Sequence, residues 1–216
     1  MNIYDGLNQE QEEGVRQTEG PLLILAGAGS GKTRVLTVRT ANLEDRCGVN
    51  PWNILAITFT NKAAKEMRER ILNTVQSEAS SIWVATFHAT CVRILRRFAD
   101  RIGYDSRFSI YDSDDARAVM KQIVKERQLE TRFLKLRQFC SAVSNAKNCL
   151  ISCDDYAQMI STNPDHPKLA DAYRTYQEIL KRDNAMDFDD LICNTVQLFR
   201  QDEEVLSYYQ DRFRYI

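Results

Sequence analysis

Ala26-Gly-Ala-Gly-Ser-Gly-Lys-Thr33 places three glycines, a lysine and a hydroxyl in eight positions, directly after the apolar run Leu22-Leu-Ile-Leu25. That is the relaxed form of a phosphate-binding loop, with alanine where the strict pattern has its first glycine. Gly27, Gly29 and Gly31 allow left-handed backbone, so the amides of Ala28, Gly29, Ser30 and Gly31 can point inward at phosphate oxygens. Lys32 is placed to reach β- and γ-phosphates. The Thr33 hydroxyl is placed to bind Mg²⁺ held through the nucleotide, and a helix starting near Gly31 presents its positive end. Lys32 and Thr33 are therefore the candidate catalytic residues. A flexible glycine turn is the alternative, but the buried strand predicted before the loop and the helix after it favour the nucleotide reading.

These residues need a frame. Val35, Leu36, Val38 and Leu43 form a helical stripe that Gly48-Val-Asn-Pro51 ends. Ile54-Leu-Ala-Ile-Thr-Phe59 reads as a second buried strand, giving a parallel βαβ unit in which ligand-facing residues follow strand ends. Thr58-Phe-Thr-Asn-Lys62 lies at such an end, with Thr60 a predicted N-cap. Phe59 fits either a base-stacking surface or the core, and Thr58, Asn61 and Lys62 fit phosphate contacts. Asn61-Lys62 resembles a guanine-reading element, but Ala64 stands where its aspartate belongs. A third strand, Ile82-Trp-Val-Ala85, runs into Thr86-Phe-His88, where His88 fits binding or orientation. Arg93, Arg97 and Arg101, with Arg96 beside them, form a basic helix face that reads as a solvated surface. Upstream, the Gln11 amide can offer a donor and an acceptor to adenine.

Composition bounds the partners. A formal net charge of -1 excludes a globally basic nucleic-acid coat, so such contacts must be local. The six cysteines lack metal-ligand spacing and read as reduced thiols. No apolar run is long enough to span a membrane, and a cytoplasmic location is expected.

Leu7-Asn-x-x-Gln11, the loop at 26–33, Ile57-Thr-Phe-Thr-Asn-Lys-Ala-Ala-x-Glu-Met67 and Thr86-Phe-His88 occur in an order and spacing that resemble superfamily 1A DNA helicases of the UvrD, Rep and PcrA type. The resemblance implies an α/β fold: a RecA-like P-loop NTPase domain with a parallel sheet and an inserted all-helical subdomain. It implies ATP and Mg²⁺ as cofactors, with Gln11 reading adenine and Arg34 packing on the base. Thr58, Phe59, Asn61, Lys62, Thr86 and His88 would line a single-stranded DNA track. It further implies 3′ to 5′ translocation in repair, replication restart or recombination.

The match is strong to about residue 104 and weaker beyond. In residues 105–185, Ser109-Ile-Tyr-Asp112 reads as a short strand, helical patterns follow at 113–129, 132–148, 154–162 and 167–183, and the stretch is predicted to form the helical subdomain 1B inside domain 1A. Ser144-Asn-Ala-Lys-Asn148 is also similar to that family. Lys135, Arg137 and Lys147 fit duplex DNA at a junction, or a solvated face. Asp187, Asp189 and Asp190 read as a helix start rather than a metal site. Residues 186–216 return to domain 1A, and Arg212-Phe-Arg-Tyr-Ile216 resembles the beginning of a strand.

The family's acidic Mg²⁺ pair, its second RecA-like domain and that domain's arginine finger are not in these residues. The 216 residues are therefore expected to lack turnover, and exposed apolar surface is expected to favour self-association. A non-catalytic single-strand-binding module that keeps the loop, or an unrelated P-loop kinase, are the alternatives.

Overall fold

The computed structural model describes residues 3–74, 81–130 and 134–216. The chain forms two compact units, Met1–Thr90 with Ser207–Ile216, and Cys91–Leu206.

In the first unit, Asn8 caps helix α1 (Gln9–Arg16) through a reciprocal box with Gln11. Helix α2 (Lys32–Asp45) follows the glycine loop. Strands β1 (Leu55–Thr58) and β2 (Trp83–Thr86) pair in parallel, with Leu55 opposite Trp83 and Thr58 opposite Thr86. The crossover helix α3 (Asn61–Thr74) buries Met67 and Ile71 against Ala41, Leu43, Ile54 and Val84. Its Arg68 guanidinium donates to the Val84 carbonyl at 2.6 Å, tying helix to sheet. On the other edge of β1, Leu55 N–H donates to the Tyr215 carbonyl at 2.9 Å, and Ile54 and Tyr215 form a parallel bridge. The strand-like reading of 212–216 thus begins to be realised at Tyr215.

The buried strand expected over residues 22–26 does not form. Ile24 packs with Val15, Val35 and Val38, while Leu23 and Leu25 are 81% and 85% exposed. The two-residue alternation of a strand is present, but the edges of β1 are taken by β2 and by Tyr215. No described residue supplies a ladder to the 22–26 backbone.

The second unit holds α5 (Ser113–Glu126), α6 (Leu136–Asn148), α7 (Cys153–Gln158), α8 (His166–Arg182) and α9 (Phe188–Gln201). They close on a core including Met120, Phe139, Tyr173, Tyr176 and Leu180. Helices α4 (Phe87–Phe98) and α10 (Glu203–Arg212) each have residues in both units. The junctions expected at 104/105 and 185/186 lie within this second unit, and the unit is not all-helical. Strands β3 (Ser109–Tyr111) and β4 (Ala185–Asp187) pair in parallel. β3 lies within the short strand expected at 109–112, while β4, three residues long, was not expected; each runs into an aspartate capping box, at Asp112 for α5 and Asp187 for α9. Those boxes agree with the helix-start reading of the aspartates at 187–190.

Lys147 is neither a solvated residue nor a contact for DNA. It is 2% exposed, and its ammonium lies 2.7 Å from Asp187 and 2.8 Å from Asp190. The Tyr176 hydroxyl donates to Asp187 at 2.8 Å, and Ser144 donates to Asp189 at 2.7 Å. The 144–148 and 186–190 stretches therefore interlock through hydrogen bonds. Burial pushes the Asp190 carboxyl up to about 6, against the pull of Lys147. Burial also opposes ionisation of Asp187, yet the Lys147 ammonium holds that carboxyl below the usual range.

Removing one partner of a buried ion pair costs about 3–5 kcal/mol. Lys147→Met should therefore lower amide-exchange protection of α6 and α9 by about a hundredfold or more at neutral pH. Adding Asp187→Asn and Asp190→Asn should restore much of it; full protection in the single variant would contradict the buried network.

The two acids act oppositely with pH. Asp190 binds an extra proton in the folded state between the ordinary carboxylate value, about 3.9, and its raised one. Its contribution is full below that window and is lost as pH rises through about 6. The contribution of Asp187 is present above the ordinary value and is lost as pH falls. Asp190→Asn should flatten the decline of the urea midpoint across the window, measured by circular dichroism.

Candidate nucleotide and nucleic-acid site

The loop takes the backbone that its glycines permit. Gly29 and Gly31 have φ of 78° and 81°, the left-handed region, and Gly31 stands as N-cap of α2 with no side-chain cap. The first amides of α2 thus keep their donors directed at the loop mouth. The Ser30 hydroxyl donates to the Gly27 carbonyl at 2.7 Å. Lys32 folds back so that its ammonium donates to the carbonyls of Ala26 and Gly27. A cation that gathers the loop's own carbonyl oxygens has the reach and donor set to gather phosphate oxygens in the same hollow. That hollow, ≈300 Å³, is lined by residues including Asn8, Gln11, Ala26, Ser30 and Lys32. Thr33 and Ala28 are exposed beside it. The uncapped helix start, the lysine and the exposed threonine fit a nucleotide phosphate chain with its Mg²⁺.

Gln11 joins α1 to this loop. Its Nε2 donates to the Ser30 carbonyl at 2.9 Å, and its Oε1 accepts from Asn8 N–H at 3.0 Å. Both ends of the amide expected to read adenine are therefore engaged within the protein. Arg34, expected on the base, donates instead to the Asp5 carbonyl at 2.9 Å, next to Gly6. Arg39 fixes the same N-terminal segment by donating to the carbonyls of Gly14 and Gln17.

The second cluster follows from the β1–β2 register. Thr58 and Thr86 lie opposite each other, so the residues after them leave the sheet side by side. Phe59 is 86% exposed and Phe87 is 44% exposed, with ring centroids 5.4 Å apart. Of the two readings open for Phe59, core filling is thereby excluded. Thr60 Oγ accepts from Ala63 N–H, as its N-cap position predicts, and Asn61 and Lys62 open α3 in solvent. Thr86 departs from expectation: it is buried and its hydroxyl accepts from Ala89 N–H at 3.2 Å, so it caps α4 instead of facing outward. His88 is half-buried on the first turn of α4.

Phe87 lies inside the Thr86-Phe-His88 stretch of the resemblance but was not singled out as a site residue. Its signal was present in the sequence, because it follows Thr86 as Phe59 follows Thr58. The basic stripe is partly spent on packing. Arg96 donates to the Ser106 carbonyl at 2.7 Å and lies 3.8 Å from the Phe108 ring centre. Arg101 pairs with Asp202 and Glu204. Among the described residues, no cluster of acids, cysteines and histidines could hold a metal ion, and no helix is long and apolar enough to cross a membrane.

Comparison with known proteins identifies the family of the chain. The UvrD/REP helicase N-terminal domain family matches residues 7–216. The chain is 52% identical over 214 residues to the ATP-dependent DNA helicase PcrA of Staphylococcus epidermidis. It is 51% identical over the same length to the protein of that name from Staphylococcus aureus. Each alignment covers 99% of this chain, and the chain spans 29% of those relatives' length.

The loop geometry separates two glycines. A Cβ on Gly31 would meet Gln11 Nε2 at 2.9 Å on top of a left-handed φ, whereas a Cβ on Gly27 would meet nothing within 4 Å. Gly31→Ala should lower stability by about 1–2 kcal/mol in urea unfolding. Gly27→Ala should stay within about 0.5 kcal/mol. Equal effects would mean that Gly31 is not held as described.

Proposed function

Since the chain belongs to the UvrD/REP helicase N-terminal domain family, we propose that it is the ATP- and single-strand-binding portion of an ATP-dependent DNA helicase. The fold is mixed α/β with parallel strands, consistent with a P-loop NTPase. In this reading, residues 1–104 and 186–216 belong to a RecA-like domain 1A and residues 105–185 to a subdomain 1B that meets the duplex junction. The observation that carries the proposal is the pairing of a lysine-bearing glycine loop with two exposed aromatics at neighbouring strand ends in one compact unit.

On ATP binding, Lys32 exchanges the Ala26 and Gly27 carbonyls for phosphate oxygens. The amides from Gly29 to Thr33 donate to the same group. Mg²⁺ bound with the nucleotide would offset phosphate charge, and the Thr33 hydroxyl is the residue here that would hold it. Gln11 gives up Ser30 to reach adenine, and Arg34 gives up Asp5 to cover the base. Phe59 and Phe87 stack bases of a single strand, while Thr58, Asn61, Lys62 and His88 hold its backbone. The whole protein would translocate 3′ to 5′ in the cytoplasm, acting in repair, replication restart or recombination.

In this reading the 216 residues alone bind without turning over, because the arginine finger that supplies about 10³–10⁵ in rate belongs to the family's second RecA-like domain. Exposed Leu23, Leu25 and Ile216 support self-association of this piece.

Fluorescence titrations of ATP and of a dT oligonucleotide test the proposal. Lys32→Ala should weaken ATP at least about tenfold. The Phe59→Ala, Phe87→Ala double variant should weaken the oligonucleotide by about 10- to 100-fold and leave ATP unchanged. Oligonucleotide binding with no ATP binding would favour the non-catalytic module, and DNA-stimulated turnover of about 1 s⁻¹ or more would overturn the inactivity.

A further inference from the structure

The helical unit contains a cavity of ≈390 Å³ between α5 and α6 that the proposed function does not use. Its floor is apolar, formed by Ala116, Met120 and Val143 with the Tyr176 ring, and serine hydroxyls line its wall at 113 and 141. Arg117 of α5 and Arg137 of α6 both line it. Both are exposed, and neither makes an ion pair or side-chain hydrogen bond among the described residues.

Several other charged groups of the unit are paired. Arg127 pairs with Asp171, Arg174 with Asp154, and Lys147 with Asp187 and Asp190. Two acids also reach the cavity, each with a partner inside the unit: Asp187 pairs with Lys147, which it shares with Asp190, and Asp189 accepts from Ser144. Arg117 and Arg137 thus bring two unpaired guanidinium forks to the lining of one cavity. Such forks donate to the paired oxygens of a phosphate, and a cavity of a few hundred cubic ångströms that combines polar groups with an apolar floor suits a small ligand.

We propose that this cavity binds a small organic phosphate. The phosphate is held between Arg117 and Arg137, and an aromatic or apolar body rests on Met120 and Val143. The site is separate from the glycine loop and does not depend on the reading of that loop.

Phenyl phosphate is a suitable probe, with benzyl alcohol as the uncharged control, followed by amide chemical shifts of the full 216-residue chain. Saturable shifts at 113–120 and 137–144 are expected for phenyl phosphate and not for the control. They should persist in Lys32→Ala and weaken at least about tenfold in the Arg117→Gln, Arg137→Gln double variant. These exposed positions carry no internal partner, so the fold should survive, and an unchanged urea midpoint checks that. Absence of saturable shifts, indifference to the double variant, or loss of binding in Lys32→Ala would each overturn the proposal. Displacement of the probe by a dT oligonucleotide would assign the arginines to nucleic acid and overturn it as well.

Discussion

The parallel register of β1 and β2 is the constraint on which the proposed nucleic-acid face depends. Thr58 opposite Thr86 makes two strands end at the same level, so each strand delivers its next residue to the same edge. An aromatic after each threonine then becomes a pair of neighbouring rings rather than two isolated exposed side chains. A slip of one residue would point the strands' side chains to opposite faces and separate the pair. The register is secured from behind by α3, whose Met67 and Ile71 fill the sheet face and whose Arg68 clamps Val84. Beyond β1, Tyr215 continues the same parallel order.

The glycine loop depends on a different constraint, the left-handed conformation at Gly31 that turns an irregular segment into the first turn of α2. A side chain there would be strained by φ and would meet Gln11. Gln11 in turn is fixed by its capping box with Asn8, so the start of α1 and the loop share one amide group. Lys32 and Gln11 each hold carbonyls of the loop, at Ala26, Gly27 and Ser30. Nucleotide binding at this loop requires the exchange of existing hydrogen bonds, and its net strength is the difference between the two sets.

Features set by local chemistry were legible in the sequence, and those set by distant partners were not. Glycine spacing, the Thr60 cap and the apolar runs of β1 and β2 act within a few residues, so their outcomes could be read directly. The run at 22–26 has the composition of a strand, but strand formation needs a neighbour, and none of the described residues pairs with it. The short strand read at 109–112 forms as β3, whereas β4 was too short to carry a period. Lys147 reads as a surface lysine until Asp187 and Asp190 are placed beside it, about forty positions away in the chain. Thr86 misled for the opposite reason: a threonine between strand and helix serves as a cap as readily as a surface ligand, and only burial distinguishes them. Arg34 and Gln11 occupy the expected neighbourhood, but their hydrogen bonds to Asp5 and Ser30 could not be read from residue type.

Backbone amide shifts of Gly29, Ser30, Gly31, Lys32 and Thr33 during titration with Mg·ATP test the phosphate cradle most directly. Saturable shifts at these five amides, together with a change at Asn8 and Gln11 as the Ser30 carbonyl is released, are the expected result. Unmoved loop amides at saturating Mg·ATP, or shifts confined to residues outside the 26–34 segment, would contradict the assignment of this loop as the nucleotide site.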